Sequence, residues 1–505
     1  MKDMAAKDGV VTTRRPEDGS TVTHSRGKVF REKLWLSIGI SIFVLLPCFW
    51  HQRIEAGDLG SHTYNSWLAQ LIERGQAPGL YTVQQWNNVL ADIASTQLAR
   101  VLGFKAAEKV VVGISVLIFF WGAFAFITVA TRRAPWFLVP GIAMVAYGWT
   151  FQMGFLNYYL SVGLALCAIA LFWRGRRGDW VAGLALAGLV MSAHLMGFMW
   201  LAGTVVYIKL AEKMRRGRWM LLIVALLTIL GIHFYISHTY RVFDPVSWHF
   251  YYFLGFDQLV LYDRRYRVLA LITLLLGLLI AILGTTRERS SAFWRTIQAP
   301  LELWVMTVFA TAMLWADIMI PKYATGFTYV ASRLTSFTAI LGLCVLGCVS
   351  PRKWHLIAFA VCAVVFFAWM YQDTGRLNRM EEHVENLVSG LPYGTRVIQT
   401  IFMPPGSRIS ADHILDRACI DRCFSYANYE PASRQFRLRA RAGNPIVSAS
   451  SESSEAMQQG RYIVRPEDLP MAEIYQCDDS NLAMVCMRSL YSGEVNGRIG
   501  YHPPH

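Results

Sequence analysis

Between Leu34 and Tyr371 the chain is a succession of apolar runs with almost no charge inside them. At roughly 17–25 residues per membrane crossing, about eleven such runs can be counted. They cover residues 34–50, 110–131, 135–150, 158–173, 180–193, 195–210, 219–236, 268–284, 301–316, 334–349 and 354–371. A backbone in lipid must satisfy its own hydrogen bonds, so runs of this kind are helices. The expected fold class is therefore an α-helical polytopic membrane protein with about eleven transmembrane helices. Only 16% of the residues are charged, against about 25% in an ordinary soluble domain.

The formal net charge is +14. The excess lies in short loops between apolar runs rather than in a nucleic-acid-binding stripe, so no nucleic-acid partner is expected. The loops Arg132 and Arg133, residues 174–177, 213–218, 287–295 and 351–353 alternate with poorly charged ones. That is the positive-inside pattern. It predicts a cytoplasmic N-terminus and, with an odd number of spans, a C-terminus on the other side. Residues 1–33 are polar and mixed in charge, and they read as a disordered cytoplasmic tail with no cleaved signal peptide.

Three divisions follow: 1–33 as the tail, 34–371 as the transmembrane domain, and 372–505 as a small α+β extracytoplasmic domain. In the last, "QDTGRLNRMEEHVENLVSGL" reads as an amphipathic helix. "GTRVIQTIFM", "QFRLRA", "NPIVSAS" and "RYIVR" read as short strands. Four of the nine cysteines, Cys419, Cys423, Cys477 and Cys486, fall there. An even number in an extracytoplasmic domain points to disulfides. Local pairs are the expectation among three connectivities. A zinc site is the weaker reading, because "CIDRC" is spaced CxxxC. A lone His413 beside Asp412 is expected to have a structural or hydrogen-bonding role rather than a catalytic one.

The first large loop, residues 51–109, begins "EAGDLGSHTYNSWLAQLIERG". Asp58 and His62 are spaced i, i+4 and share one face of a helix that starts near Asp58. Asp58 also suits the helix N-terminus as a cap. Apolar residues at Tyr64, Trp67, Leu68, Leu71 and Ile72 make one face oily. After a Pro-Gly break a second amphipathic helix follows. Neither is long enough to span, so both are expected to lie along the membrane surface.

The stretch "GDLGSHTYNSWLAQLIERGQAPGLY", with "AHLMGFMWL" around His194 and "TYVASRLTSF" around Arg333, resembles the GT-C superfamily of membrane glycosyltransferases. The likeness is to its mannosyltransferase and aminoarabinose-transferase-like branch. It covers residues 34–371 in architecture and short patches in motif, with the acids Glu55 and Asp58 spaced ExxD. The resemblance implies transfer of a sugar from a polyprenyl-phosphate donor to a glycan, lipid or protein acceptor, on the outer face of a bacterial inner membrane. It then implies a base for the acceptor hydroxyl, Asp58 first and Glu55 second. It also implies cations for the phosphate leaving group. Arg333 and Lys322 are the candidates, Arg333 having lipid snorkelling as its other reading. Arg241 and Arg265, with Arg264 and Arg267, lie among aromatics and read either as head-group ligands or as an interfacial belt. His62 and His194 would hydrogen-bond sugar or phosphate, or His62 would join Asp58 on a divalent metal.

The chain has no HExxH, Walker A, GxSxG or clustered CxxC motif, which argues against the metalloprotease, ATP-driven pump and α/β-hydrolase classes. A polysaccharide polymerase or ligase, a secondary transporter and a scaffold are the alternatives that remain. A transporter of this size would show an internal repeat, and none is visible.

Overall fold

The computed structural model describes residues 19–214, 217–243, 253–287, 290–320, 327–433, 435–478 and 484–497. The chain divides into Met1–Leu46 and Pro47–His505. The first part contributes most of helix α1, Gly19–Phe49. Helix thus extends into the stretch expected to be a disordered tail. After Gly19 no proline intervenes before Pro47, so a helix nucleated in the apolar run can propagate towards the N-terminus.

Within Pro47–His505 the membrane part comprises α4 (Phe104–Thr131), α5 (Val139–Ala146), α6 (Trp149–Gln152), α7 (Leu156–Arg174), α8 (Arg177–Ala193), α9 (Leu195–Lys213), α10 (Arg218–Thr239), α11 (Arg264–Arg287), α12 (Ser291–Met313), α13 (Val330–Gly347) and α14 (Lys353–Val388). The protein is a polytopic helical membrane protein. Among the described residues seven helices are long and apolar enough to cross a membrane: α4, α7, α9, α10, α11, α13 and α14. This is fewer than the eleven runs suggest. The 135–150 run breaks into a turn, α5 and the four-residue α6, at Pro135, Pro140 and Gly148, residues that interrupt helices. The apolar part of α1 and the 17-residue α8 are shorter. Charge dilutes α12, which carries Arg295 and Glu302. Helix α7 is buried along most of its length, whereas α10 buries no residue and presents a mostly apolar surface suited to lipid.

The first loop forms the two expected helices, α2 (Leu59–Glu73) and α3 (Leu90–Leu102), with a short strand β1 (Leu80–Thr82) between them, but not both at the surface as expected. Only α3 keeps an exposed apolar edge, at Ile93, Val101 and Leu102. Helix α2 is buried from Leu59 to Leu71, because the C-terminal region packs over it.

That region is α+β. Helix α14 runs unbroken through residues 371–372 and ends at Val388. Strands β4 (Thr395–Thr400), β5 (Cys423–Ser425), β7 (Met471–Gln476) and β8 (Val485–Leu490) form a sheet of order β5-β4-β7-β8. Its first two pairings are parallel and the last is antiparallel. Strand β6 (Leu438–Ala440) stands apart, pairing antiparallel with β1 of the first loop. The expected strand at 444–450 does not form, and 461–465 contributes only a bridge at Ile463. Both cysteine pairs are local disulfides, Cys419–Cys423 and Cys477–Cys486.

Candidate active site

Asp58 occupies the position before the first turn of α2, yet its side chain caps nothing. The backbone does the anchoring. Asp58 N–H donates to Met153 O at 2.9 Å, and Asp58 O accepts from His62 N–H at 3.1 Å. The flanking glycines explain why this acid is so tightly held. A Cβ on Gly57 would lie 2.4 Å from Met153 O, and one on Gly60 would lie 2.3 Å from His413 O. "GDLG" therefore lets two backbones close on either side of Asp58 and leaves its carboxylate facing inward.

That carboxylate lines a cavity of about 1510 Å³. The cavity is polar at one end, where Asp58, His62, His194, Arg333, Asp412, His413 and Tyr429 meet. Its long remainder, between α9, α10 and α12, is walled by side chains such as Met199, Val206, Val224, Ile232 and Met306.

Each polar group has a distinct environment. The Asp58 side chain is 23% exposed, but to the cavity. Burial raises its pKa above the ordinary carboxylate value, against the partial opposing pull of the nearby His413, His62 and Arg333. His62, one turn along α2, bonds through Nδ1 to Asp92 Oδ1 at 2.7 Å. Asp92 Oδ2 accepts from Asn157 Nδ2 at 3.0 Å. Burial opposes a charge on His62, but Asp92 outweighs it and raises the imidazole to about 9. His194 is the opposite case: burial, then Arg333, pull it down to about 3. It is a neutral imidazole approached by two donors, Met196 N–H at 3.2 Å and Arg333 Nη1 at 3.3 Å. A neutral ring has one acceptor nitrogen, so it serves one of them at a time.

Arg333 lies in the first turn of α13. Its guanidinium sits 4.0 Å from the Phe155 ring centre and 5.9 Å from that of Tyr158, and Nε is buried without a hydrogen-bond partner. Among the described residues no carboxylate forms an ion pair with it. It is a cation held by aromatic faces, with donors left over for an anion.

The C-terminal region closes the polar end. His413, just before the short helix α15 (Ile414–Ala418), points Nε2 at Asp58 Oδ1 from 3.7 Å. Its Nδ1 bonds to Asp416 Oδ2 at 2.9 Å. Ser425 Oγ donates to the other oxygen of Asp416.

The remaining sequence candidates lie elsewhere. Glu55 is buried on the far side of the loop, paired with Arg417 at 3.2 Å in a cluster with Glu108 and Glu381. Arg265 is held by Asp373 and Asp263 and stands over Trp369. Arg241 opens strand β2 (Arg241–Phe243), which pairs with β3 (Asp317–Met319), and its guanidinium stands over the Phe243 ring. None of these three lines the cavity. Lys322 lies outside the described residues. The metal reading finds no fit. Among the described residues no group of three His, Cys, Asp or Glu side chains is arranged around a metal position.

Sequence reasoning missed Asp92, Phe155, Asp416 and Tyr429. A signal existed for one of them: His413 and Asp416 are spaced i, i+3, which puts them on one face of a helical turn.

One solved structure resembles this chain. It is the crystal structure of ArnT from Cupriavidus metallidurans bound to undecaprenyl phosphate, with TM-score 0.46 and 12% identity over 78% of this chain and 85% of that one. No protein-family model and no curated protein matches the sequence.

Proposed function

We propose that this protein is a membrane glycosyltransferase of the GT-C kind, moving a sugar from a polyprenyl-phosphate carrier to an acceptor hydroxyl on the extracytoplasmic face. The observation that carries this reading is the cavity. A carboxylate without a capping role and a guanidinium with no acidic partner among the described residues share its polar end, and the apolar remainder suits a lipid tail.

In the proposed reaction the polyprenyl chain lies along α9, α10 and α12, and its phosphate meets Arg333. Asp58 accepts the proton of the acceptor hydroxyl as that oxygen bonds to the anomeric carbon. The bond from that carbon to the phosphate oxygen breaks, and its electron pair leaves with the lipid phosphate. Arg333, and His62 as an imidazolium, stabilise the charge that develops there. His194, neutral, holds Arg333 in place or accepts from a sugar hydroxyl.

The side of the membrane is supported independently. The small cavity of about 210 Å³ is lined by Arg132, Arg218 and Arg295, which gathers three of the basic loops at one end of the bundle. Helix α9 begins beside His194 and ends at Lys213 near that basic end. Its 19 residues rise about 28 Å, close to the hydrocarbon thickness. Asp58 therefore stands a membrane away from the basic loops. Two disulfides in the region that closes the site fit an oxidising compartment.

The test is transfer of labelled sugar from a defined polyprenyl phosphate by the purified protein. Asp58→Asn is expected to lower the rate about 10²–10⁴-fold, and Arg333→Ala to lower it by about 10² or more. Full transfer by Asp58→Asn removes this carboxylate as the base and the proposed reaction with it.

A further inference from the structure

The C-terminal region contributes more than a cover to this site, because it brings the Asp416–His413 pair up to Asp58. His413 Nε2 lies 3.7 Å from Asp58 Oδ1, while its Nδ1 is fixed by Asp416 at 2.9 Å. Asp416 is buried and held in turn by Ser425 of β5. An imidazole gripped at one nitrogen by a buried carboxylate has its other nitrogen aimed and its positive charge favoured. The approach is built into the backbone as well. Gly60, two residues from Asp58, has no Cβ at the place where His413 O passes, and any side chain there would collide with it.

We infer that His413 is a positioning residue for the proposed transfer, an imidazolium supplied by the C-terminal region that favours the ionised form of Asp58 and orients it as the base. The inference rests on the reading of Asp58 given above. Alone in its buried position, Asp58 would tend to hold a proton and be useless as a base, and His413 is the first of the cations that counter this. Asp416 in turn raises His413 to about 10 against the pull of burial, so the cation persists across the physiological range. The other groups facing Asp58 are His62 on its own helix, Arg333 from α13, Asp412 beside His413, and the phenols of Tyr329 and Tyr429. Those facing His413 besides Asp58 and Asp416 are Asp412 and Glu430. Of the two acids beside the Asp58–His413 pair, Glu430 is bonded by Ser61 and Asp412 by Ser410. Neither is bonded to the imidazole.

The experiment is the pH profile of kcat/KM for sugar transfer by the full-length protein. Removing a cation within 4–6 Å raises the pKa of a carboxylate by about 1–3. In His413→Gln the acid limb is therefore expected to move upward by about that much. Below the limb the rate falls about tenfold for every pH unit the limb travels, and the alkaline plateau is kept within a few-fold. His413→Lys, which restores a cation, is expected to return the limb towards its original position. In the Asp58→Asn background His413→Gln is expected to cost nothing further, because His413 acts only through Asp58. If the glutamine variant does not fold, His413→Asn takes its place. A uniform loss at every pH, with the limb unmoved, assigns His413 a structural role and overturns the inference, as does a full additional loss in the double variant. The two readings fail separately. An active Asp58→Asn overturns the proposed reaction; an inactive Asp58→Asn beside an unmoved limb in His413→Gln overturns only the role of His413.

Discussion

Replacing Arg417 with methionine would leave an apolar side chain of similar length where a guanidinium now meets three carboxylates. Arg417 lies 2.8 Å from Glu108, 2.7 Å from Glu381 and 3.2 Å from Glu55, and it donates to Ile54 O at 2.9 Å. All three acids are buried, and Arg53, 3.3 Å from Glu381, is the next cation. Removing one partner of a buried ion pair costs about 3–5 kcal/mol, because the other charge is left uncompensated. Against a typical net stability of about 5–15 kcal/mol, Arg417→Met is expected to lose a large share. Burial holds the Glu55 carboxyl well above the usual range, and Arg417 is what brings it down. A carboxyl whose folded pKa is raised contributes stability that is full below its unfolded value of about 4.3 and lost as pH rises through the folded value. Without Arg417 that folded value climbs further, so the deficit of the variant grows with pH and shrinks on acidification. The cysteines outside the two disulfides, Cys48, Cys344, Cys348 and Cys362 buried and Cys167 half-buried, supply the assay. A thiol-reactive fluorophore reports their exposure as the detergent-solubilised protein is heated or denatured. Glu55→Gln added to Arg417→Met is expected to recover part of the loss. A deficit below about 1 kcal/mol, the range of a surface pair, or one indifferent to pH, would refute the account of this cluster.

Two further outcomes follow from the cavity. Phe155→Leu removes the ring that faces Arg333 at 4.0 Å, an interaction of about 1–2 kcal/mol. Steady-state transfer should show the KM for the lipid donor rising roughly 5–30-fold, with kcat changed less; an unchanged KM would separate Arg333 from donor binding. Asp92→Asn strips His62 of the partner that raises it to about 9. A raised histidine contributes stability that is full below its unfolded value near 6.5 and is lost as pH rises through about 9. The melting temperature of the variant should therefore trail wild type most at pH 6 and converge with it near pH 10, and a gap that is constant with pH would contradict the pairing.

The membrane class and the basic loops were legible because they rest on local, one-dimensional quantities: the length of an apolar run and the sign of the charge beside it. Asp58 and His62 were legible for the same reason, as neighbours on one helical turn. The broken 135–150 run was marked by its own prolines and glycine. Glu55 and Asp58, three residues apart, could not be told apart that way. What separates them is which neighbour each side chain meets: Arg417 from residue 417 for one, an open cavity for the other. Arg265 and Arg333 present a similar contrast. Both are arginines among aromatics, but Asp373 neutralises the first and no acid pairs with the second among the described residues.

The sequence by itself therefore determined a helical membrane protein and the basic loops between its apolar runs, and it left local cysteine pairing and the choice between two early-loop acids as expectations. Only the tertiary structure decided that α2 is buried rather than lying bare on the lipid surface, that β1 pairs with β6 across more than three hundred residues, and that His413 meets Asp58. The reason is physical. Hydropathy and helical spacing act between neighbours along the chain, whereas the state of a buried charge depends on whichever groups the fold brings within a few ångströms of it.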